Sequence, residues 1–320
     1  MSLRPLIILT GPTAVGKTEL SLSLAKAIDG EIISADSMQV YRHMDIGTAK
    51  IMQDQMQGIP HHLIDVLEPE EEFNVVRFQK MAKSALETIY KKGKIPIVVG
   101  GTGFYIQALL YDIDFEENSG ESQIREELEQ TLKDKGPLYL HAMLKEIDPD
   151  SAEVIHANNS KRVIRAIEYF KLTGELISKH NEEQKNRPAA YNSAYFVLSN
   201  DRKVLYERIN TRIDMMLHEG LLAEVKALKE AGYTRDLVSM QGLGYKELLA
   251  YLDGEITLEE AVYILKRDTR HFAKRQLTWF KREQDVIMIE KDKLTSTKEQ
   301  LDAILKVLEE RNIYSGRRTE

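Results

Sequence analysis

Cysteine is missing from all 320 residues. Its absence excludes disulfides, thiolate zinc sites and cysteine nucleophiles, and it suits a reducing cytosol. Long apolar runs are missing as well. Residues 5–9 (PLIIL) form the sole apolar run near the N-terminus, too short for the core of a signal peptide, and no stretch approaches a bilayer span. The expectation is a soluble, cytoplasmic protein. With 42% apolar residues, the chain can build one large domain with an insertion, or two domains. A global excess of positive charge is also lacking: the net charge of −7 makes no overall case for a nucleic-acid partner. The charge is unevenly spread, however. Residues 266–282 (KRDTRHFAKRQLTWFKR) hold seven Lys/Arg and one acid, and residues 116–130 hold six acids and one Arg. There is no fixed-period repeat and no low-complexity segment.

What is present is alternation. Residues 6–10 (LIILT) read as a buried strand, followed by GPTAVGKT at 11–18, and then by Leu20, Leu24, Ala27 and Ile28 at helical spacing. Residues 31–35 (EIISA) predict a second strand, placed next to the first. A helix over 75–92 is closed by Gly93, and residues 95–99 (IPIVV) predict a third strand. This order implies an α/β, doubly wound parallel sheet. From about 113 to 192 the strand signal stops and helical patterns take over, with Val163, Ile164, Ile167 and Phe170 on one face. Strands return at 194–198 and 286–289. The reading is a core of 1–112 and 193–320, interrupted by a helical insertion over 113–192. The tail after Asn312 is expected to fray.

GPTAVGKT fits the phosphate-loop pattern G-x-x-x-x-G-K-[ST]. Amides from Gly11, Pro12, Thr13, Ala14, Val15 and Gly16 surround an anion nest, proline supplying no N–H of its own. The helix dipole and Lys17 add positive charge, and the Thr18 hydroxyl can reach Mg²⁺. A glycine turn without a ligand is the alternative; the flanking strand and helix weigh against it. The loop specifies a di- or triphosphate but not the molecule that carries it. Asp36 ends the second strand, where such sheets bind ligands. It can hold Mg²⁺, act as a general base, or merely cap a helix. His61 and His62 lack a third ligand at metal spacing, so a histidine bonded to the loop backbone is expected there. Gly100 and Gly101 permit close approach to a ligand or simply make a tight turn, and Thr102 can donate a hydrogen bond. Arg208 and Arg212 share a helix face suited to phosphate oxygens, or to solvent. The same two readings hold for Lys161, Arg162 and Arg165. Met215, Met216 and Leu217 are assigned to the core. Gln241, Gly242, Tyr245 and Lys246 (in QGLGYKE) either touch a base or start a helix. In the basic stretch the aromatics are assigned to the core, and the Lys/Arg residues, Arg275 among them, to a phosphate-facing surface.

In order along the chain stand ISADSMQVYRHMDIGTAK, HHLID, VVGGTGFYIQAL, KRVIRAIE, RIDMMLHEGLLAEV, QGLGYKE and TRHFAKRQLTWF. With GPTAVGKTEL before them, these segments resemble the bacterial tRNA dimethylallyltransferase family, also called tRNA isopentenylpyrophosphate transferases. The likeness runs from residue 11 to 280, with little signature around 116–140. It implies a P-loop NTPase-like core whose helical insertion grips the anticodon stem-loop of tRNA. It also implies transfer of a dimethylallyl group from dimethylallyl diphosphate to N6 of the adenosine 3′-adjacent to the anticodon. Asp36 would then be the base, Lys17 and Thr18 with Mg²⁺ would stabilise the diphosphate, and Arg208 and Arg212 would assist. By the match to Asp-Ser-x-Gln, Ser37 and Gln39, with Met38 between them, would lie against the flipped base, near Thr102. The expected partners are tRNA and dimethylallyl diphosphate, with no membrane, acting on a monomer. A P-loop small-molecule kinase or an adenylate prenyltransferase is the rival; the insertion is larger than a typical kinase lid, and prenyl transfer to a free adenine nucleotide would need neither the insertion nor the late basic helix.

Overall fold

The computed structural model describes residues 3–115, 123–185 and 187–315. The chain divides into two compact units, Met1–Leu110 with Ala189–Glu320, and Tyr111–Pro188.

The first unit is built on six parallel strands: β1 (Pro5–Thr10), β2 (Gly30–Ala35), β3 (His61–His62), β4 (Ile95–Gly100), β5 (Asn192–Ser199) and β6 (Val286–Glu290), in the spatial order β3-β2-β4-β1-β5-β6. Ile7 pairs with Ile97 on one side and Ala194 on the other. A strand flanked on both edges and covered on both faces must be apolar throughout, which is why LIIL carries no alternation. Leu6, Ile7, Ile8 and Leu9 are all essentially inaccessible, each side chain contributing about 1.5–3 kcal/mol. The observed class is the doubly wound α/β sheet that the alternation predicts.

Two details differ from the sequence reading. β2 is not beside β1; β4 lies between them. The contact between β2 and β4 is close, for a Cβ on Gly100 would fall 2.1 Å from the Ala35 carbonyl oxygen. The glycine at 100 therefore serves strand packing, not approach to a ligand. Second, His61–His62 form a short edge strand, a run too brief to show any period.

The helices of this unit are α1 (Lys17–Ile28), α2 (Val75–Lys91), α3 (Gly103–Leu110), α8 (Arg202–His218), α9 (Leu221–Glu230), α10 (Tyr245–Leu252), α11 (Leu258–Phe280) and α12 (Thr297–Glu310). Four of these eight begin on a side-chain cap: Asn74 accepts from Arg77 N, Asp201 accepts from Lys203 N and Val204 N, and Thr257/Glu260 and Ser296/Glu299 form reciprocal capping boxes. α1 has none. It starts from Gly16 at φ 96°, so its first amides have no side-chain acceptor. Of the tail after Asn312, Ile313 is buried and Tyr314 Oη donates to Ala27 O at 3.2 Å, so these two are packed, while residues 316–320 lie outside the described residues.

The second unit holds α4 (Gln123–Ile147), α5 (Pro149–Val154), α6 (Ser160–Thr173) and α7 (Ile177–Lys185). α4 breaks at Gly136–Pro137, where Gly136 takes φ 80°. Its core joins Leu128, Leu140 and Leu144 to Val163, Ile164 and Ile167, while Phe170 is only half-buried. The buried Asp148 caps α5 through Ser151 N and also accepts from Ser178 N. Of the acidic run at 116–130, residues 116–122 lie outside the described residues.

Candidate active site

The phosphate loop leaves β1 at Thr10 and enters α1 at Lys17. Its shape needs left-handed backbone: Gly11 has φ 148° and a Cβ there would strike the Leu198 carbonyl oxygen at 2.6 Å; Ala14 has φ 62°. Lys17 Nζ folds back onto the loop and donates to the carbonyls of Gly11 and Pro12, both at 2.9 Å. Withdrawal from water pushes the Lys17 pKa down to about 8; the carboxylate of Asp36 opposes that shift and Arg212 adds to it. Thr18 is exposed at the head of α1.

Asp36 follows β2. Its Oδ1 accepts from the amides of Met38 (2.9 Å) and Gln39 (3.4 Å), which fixes the carboxyl plane and leaves Oδ2 without a bond to any described residue. The cap reading and the catalytic reading therefore use different oxygens of one carboxylate.

Both features open into one cavity of about 390 Å³. Thr13, Ala14, Asp36, Ser37, Met38 and Thr102 form one wall. Arg212, Gln241, Gly242, Tyr245, Lys246 and Arg275 contribute polar positions opposite or beside them. Ile209, Ile213, Met216, Leu221, Leu265 and Phe272 supply apolar surface. Met216 thus lines the cavity instead of the core, and Met215 is exposed; a helical repeat of apolar residues does not distinguish a core from a pocket wall. Phe272 likewise faces the cavity, whereas Phe280 is core as expected.

Three expected RNA contacts are already engaged within the protein. Gln39 Nε2 donates to Thr48 O (3.2 Å) and Ala49 O (3.3 Å), and Gln39 does not line the cavity. Gln241 Nε2 donates to Arg235 O. Tyr245 Oη donates to Glu224 Oε1 at 2.7 Å, and its buried ring stacks over Gly47, where a Cβ would lie 2.6 Å away. Lys161 and Arg162 are exposed on α6 of the second unit, and Arg165 lies 3.8 Å from Glu168.

Positive charge collects at the loop. Burial and the adjacent Arg208 hold the Arg212 guanidinium below its ordinary pKa. Arg208 Nη2 and Lys291 Nζ both overhang Gly16, at 3.5 and 2.9 Å from where its Cβ would be. Burial first and Arg208 second lower the Lys291 pKa.

Sequence reasoning missed three residues here. Gln276, buried on α11, accepts from Thr13 N at 2.9 Å and donates to Gly101 O at 2.9 Å, tying the phosphate loop to the loop after β4. Glu224 accepts the amides of Asp45 (2.9 Å), Ile46 (2.7 Å) and Gly47 (3.1 Å). Lys291 is the third. The texture of DIGTAK and HHLID has a structural cause: Lys50 Nζ, fully enclosed, donates to Tyr41 O (2.7 Å), Asp45 Oδ1 (2.6 Å) and Asp65 Oδ1 (2.5 Å). His61 Nδ1 lies 2.8 Å from Ile59 O, the expected backbone bond, and His62 Nε2 lies 2.9 Å from Glu31 Oε2. Among the described residues no three His, Asp or Glu gather as metal ligands, and no helix is long and apolar enough to cross a membrane.

The family model described as IPP transferase matches residues 39–283, and that described as Isopentenyl transferase matches 4–71. A curated tRNA dimethylallyltransferase of Lachnoclostridium phytofermentans is 64% identical over 311 residues, covering 97% of this chain and 99% of the relative. That of Acetivibrio thermocellus is 52% identical over 290 residues, covering 91% and 93%. The solved full-length tRNA isopentenylpyrophosphate transferase of Bacillus halodurans superposes with a TM-score of 0.72 at 44% identity, over 97% of this chain and 98% of that one. A eukaryotic dimethylallyltransferase, described as acting on tRNA, superposes with a TM-score of 0.84 at 30% identity, over 99% of this chain and 81% of that one.

Proposed function

The chain belongs to the IPP transferase family, the tRNA dimethylallyltransferases, and on that premise we propose that it transfers a dimethylallyl group from dimethylallyl diphosphate to N6 of the adenosine 3′-adjacent to the tRNA anticodon. The observation that carries the proposal is the opening of the phosphate loop and Asp36 into one cavity whose remaining wall is largely apolar. A diphosphate, a five-carbon chain and a purine need those three surfaces together.

The chemistry follows from the geometry. The C–O bond to the diphosphate breaks, and its electron pair leaves with the phosphate oxygen. Amides of the loop, Lys17, Arg208 and Arg212 stabilise the charge that develops there. Adenine N6 is a weak nucleophile because its lone pair is delocalised into the ring. Oδ2 of Asp36 accepts a hydrogen bond from N6–H and takes that proton as the C–N bond forms. The base reaches this site by leaving its stack, and Ser37, Met38 and Thr102 border the place where it would sit. The exposed Thr18 hydroxyl at the loop and the Asp36 carboxylate, close enough to Lys17 to favour its charge, make a sparse oxygen donor set, which fits a Mg²⁺ ion held mainly by substrate phosphates and water. Such an ion would neutralise charge on the diphosphate. Lys161, Arg162, Arg165, Lys246 and Arg275 are proposed to meet tRNA phosphates. The protein is proposed to act as a monomer in the cytoplasm.

The test is incubation of the protein with labelled dimethylallyl diphosphate, Mg²⁺ and unmodified tRNA bearing the acceptor adenosine. Label retained in tRNA is the expected result. Phosphorylation of a small acceptor from ATP, without prenyl transfer, would replace this reading with a kinase.

A further inference from the structure

Four cations surround the phosphate loop, and sequence motifs account for three of them. The fourth, Lys291, follows directly on β6, far from any phosphate-loop pattern. Its backbone N–H donates to Ser199 O at 2.9 Å, which anchors its position at the carboxyl end of the sheet. From there the side chain reaches across to α1, so that Nζ lies 2.9 Å from where a Cβ of Gly16 would stand, beside Arg208 Nη2.

No described carboxylate forms a salt bridge with Lys17, Arg208, Arg212 or Lys291. Such a cluster is self-repelling: Arg208 disfavours the charge on Arg212 and on Lys291, and Arg212 disfavours the charge on Lys17. The nearby acids, Asp36 for Lys17 and Glu19 for Lys291, offset this only in part. Crowded cations without salt-bridge partners are the arrangement of an anion site awaiting its ligand. Arg212 lines the cavity, Lys17 turns its ammonium onto the Gly11 and Pro12 carbonyls, and Arg208 and Lys291 stand over Gly16. Cations at separate positions around one loop suit two linked phosphates.

We infer that Lys291 is a direct ligand of the diphosphate, binding the oxygens on the Gly16 side together with Arg208; this rests on the reading of the loop as the dimethylallyl diphosphate site. As the C–O bond breaks, the departing diphosphate gains a negative charge. Lys291 stabilises that product as well as the bound substrate, so it acts on diphosphate affinity in both forward binding and product inhibition.

The experiment uses the full chain. Inorganic diphosphate is titrated into wild type, Lys291→Met and Lys291→Arg at equilibrium, and steady-state constants are measured for dimethylallyl diphosphate and tRNA. Lys291→Met is expected to weaken diphosphate binding about tenfold and raise the KM for dimethylallyl diphosphate similarly. The KM for tRNA and the thermal midpoint should hold, and Lys291→Arg should recover most of the affinity. Unchanged diphosphate affinity in Lys291→Met overturns the assignment. So does a loss that follows a lowered thermal midpoint and is not recovered by arginine. A wild type that binds diphosphate but transfers no prenyl group overturns the proposed function alone, since the titration still decides Lys291.

Discussion

The carboxylate of Glu224, on α9, accepts the amide of Ile46 at 2.7 Å, and with it the amides of Asp45 and Gly47 and the hydroxyl of Tyr245. One side chain thus holds the turn that carries Gly47, Thr48 and Ala49 against the cavity. Glu224→Ala is expected to cost about 2–4 kcal/mol, because three amides lose a charged acceptor together. Glu224→Gln, which keeps the shape, should cost less. Thermal or urea denaturation of both variants checks the order.

Asp36→Asn keeps the carbonyl oxygen that accepts from Met38 and Gln39, but it removes the proposed base. The turn should survive and tRNA binding should hold, while kcat falls about 10²–10⁴-fold. A gel-shift assay beside single-turnover prenyl transfer separates the two effects.

Lys17 supplies a pH signature. Its pKa in the folded protein is lowered to about 8 from the ordinary lysine value of 10.5. Between those two pH values the unfolded chain binds more protons, so this group's contribution to stability rises with pH across that window. Affinity moves the other way, because the charged ammonium binds phosphate. Diphosphate binding by the free enzyme should weaken as pH rises through about 8, beyond the change due to diphosphate itself. The Lys17→Arg variant, measured in the same buffers, should lack that extra component.

Gln276 bridges a donor and an acceptor, Thr13 N and Gly101 O, at equal distance. Gln276→Glu keeps the acceptor but turns a carboxylate oxygen toward the Gly101 carbonyl. The expected cost is about 1–3 kcal/mol, with weaker diphosphate binding from a loosened loop. Gln276→Ala should be milder in stability. Calorimetric melting with and without inorganic diphosphate distinguishes them.

Much of this architecture could be read in advance because its signals are local. LIILT, GPTAVGKT and the Leu20/Leu24 repeat stand in one stretch, and strand, loop and helix confirm each other there. Asp36 was legible for the same reason, as the residue that ends a strand. Gln276, Glu224 and Lys291 were not, because Gln276 and Glu224 bond backbone groups more than 170 residues away and Lys291 reaches back to Gly16 near the other end of the described chain. Tyr245 carried a visible motif whose work is to close over Gly47 and bond Glu224. Met216 and Phe272 fit a helical apolar stripe, and only the fold shows whether such a stripe meets a neighbour or a hollow. The position of β4 between β1 and β2 has no sequence signal, since pairing order depends on how crossovers pass over the sheet.

That pairing order has a consequence during synthesis. β1 leaves the ribosome long before β5, which completes its second edge and ends only at Ser199. Until then an apolar strand waits with one ladder of amides and carbonyls open, the condition in which nascent chains pair wrongly. The phosphate loop waits longer still, since Gln276 and Lys291 are made after β5. A chain released early would carry GPTAVGKT but lack the Gln276 bridge to Thr13 and the Lys291 ammonium over Gly16.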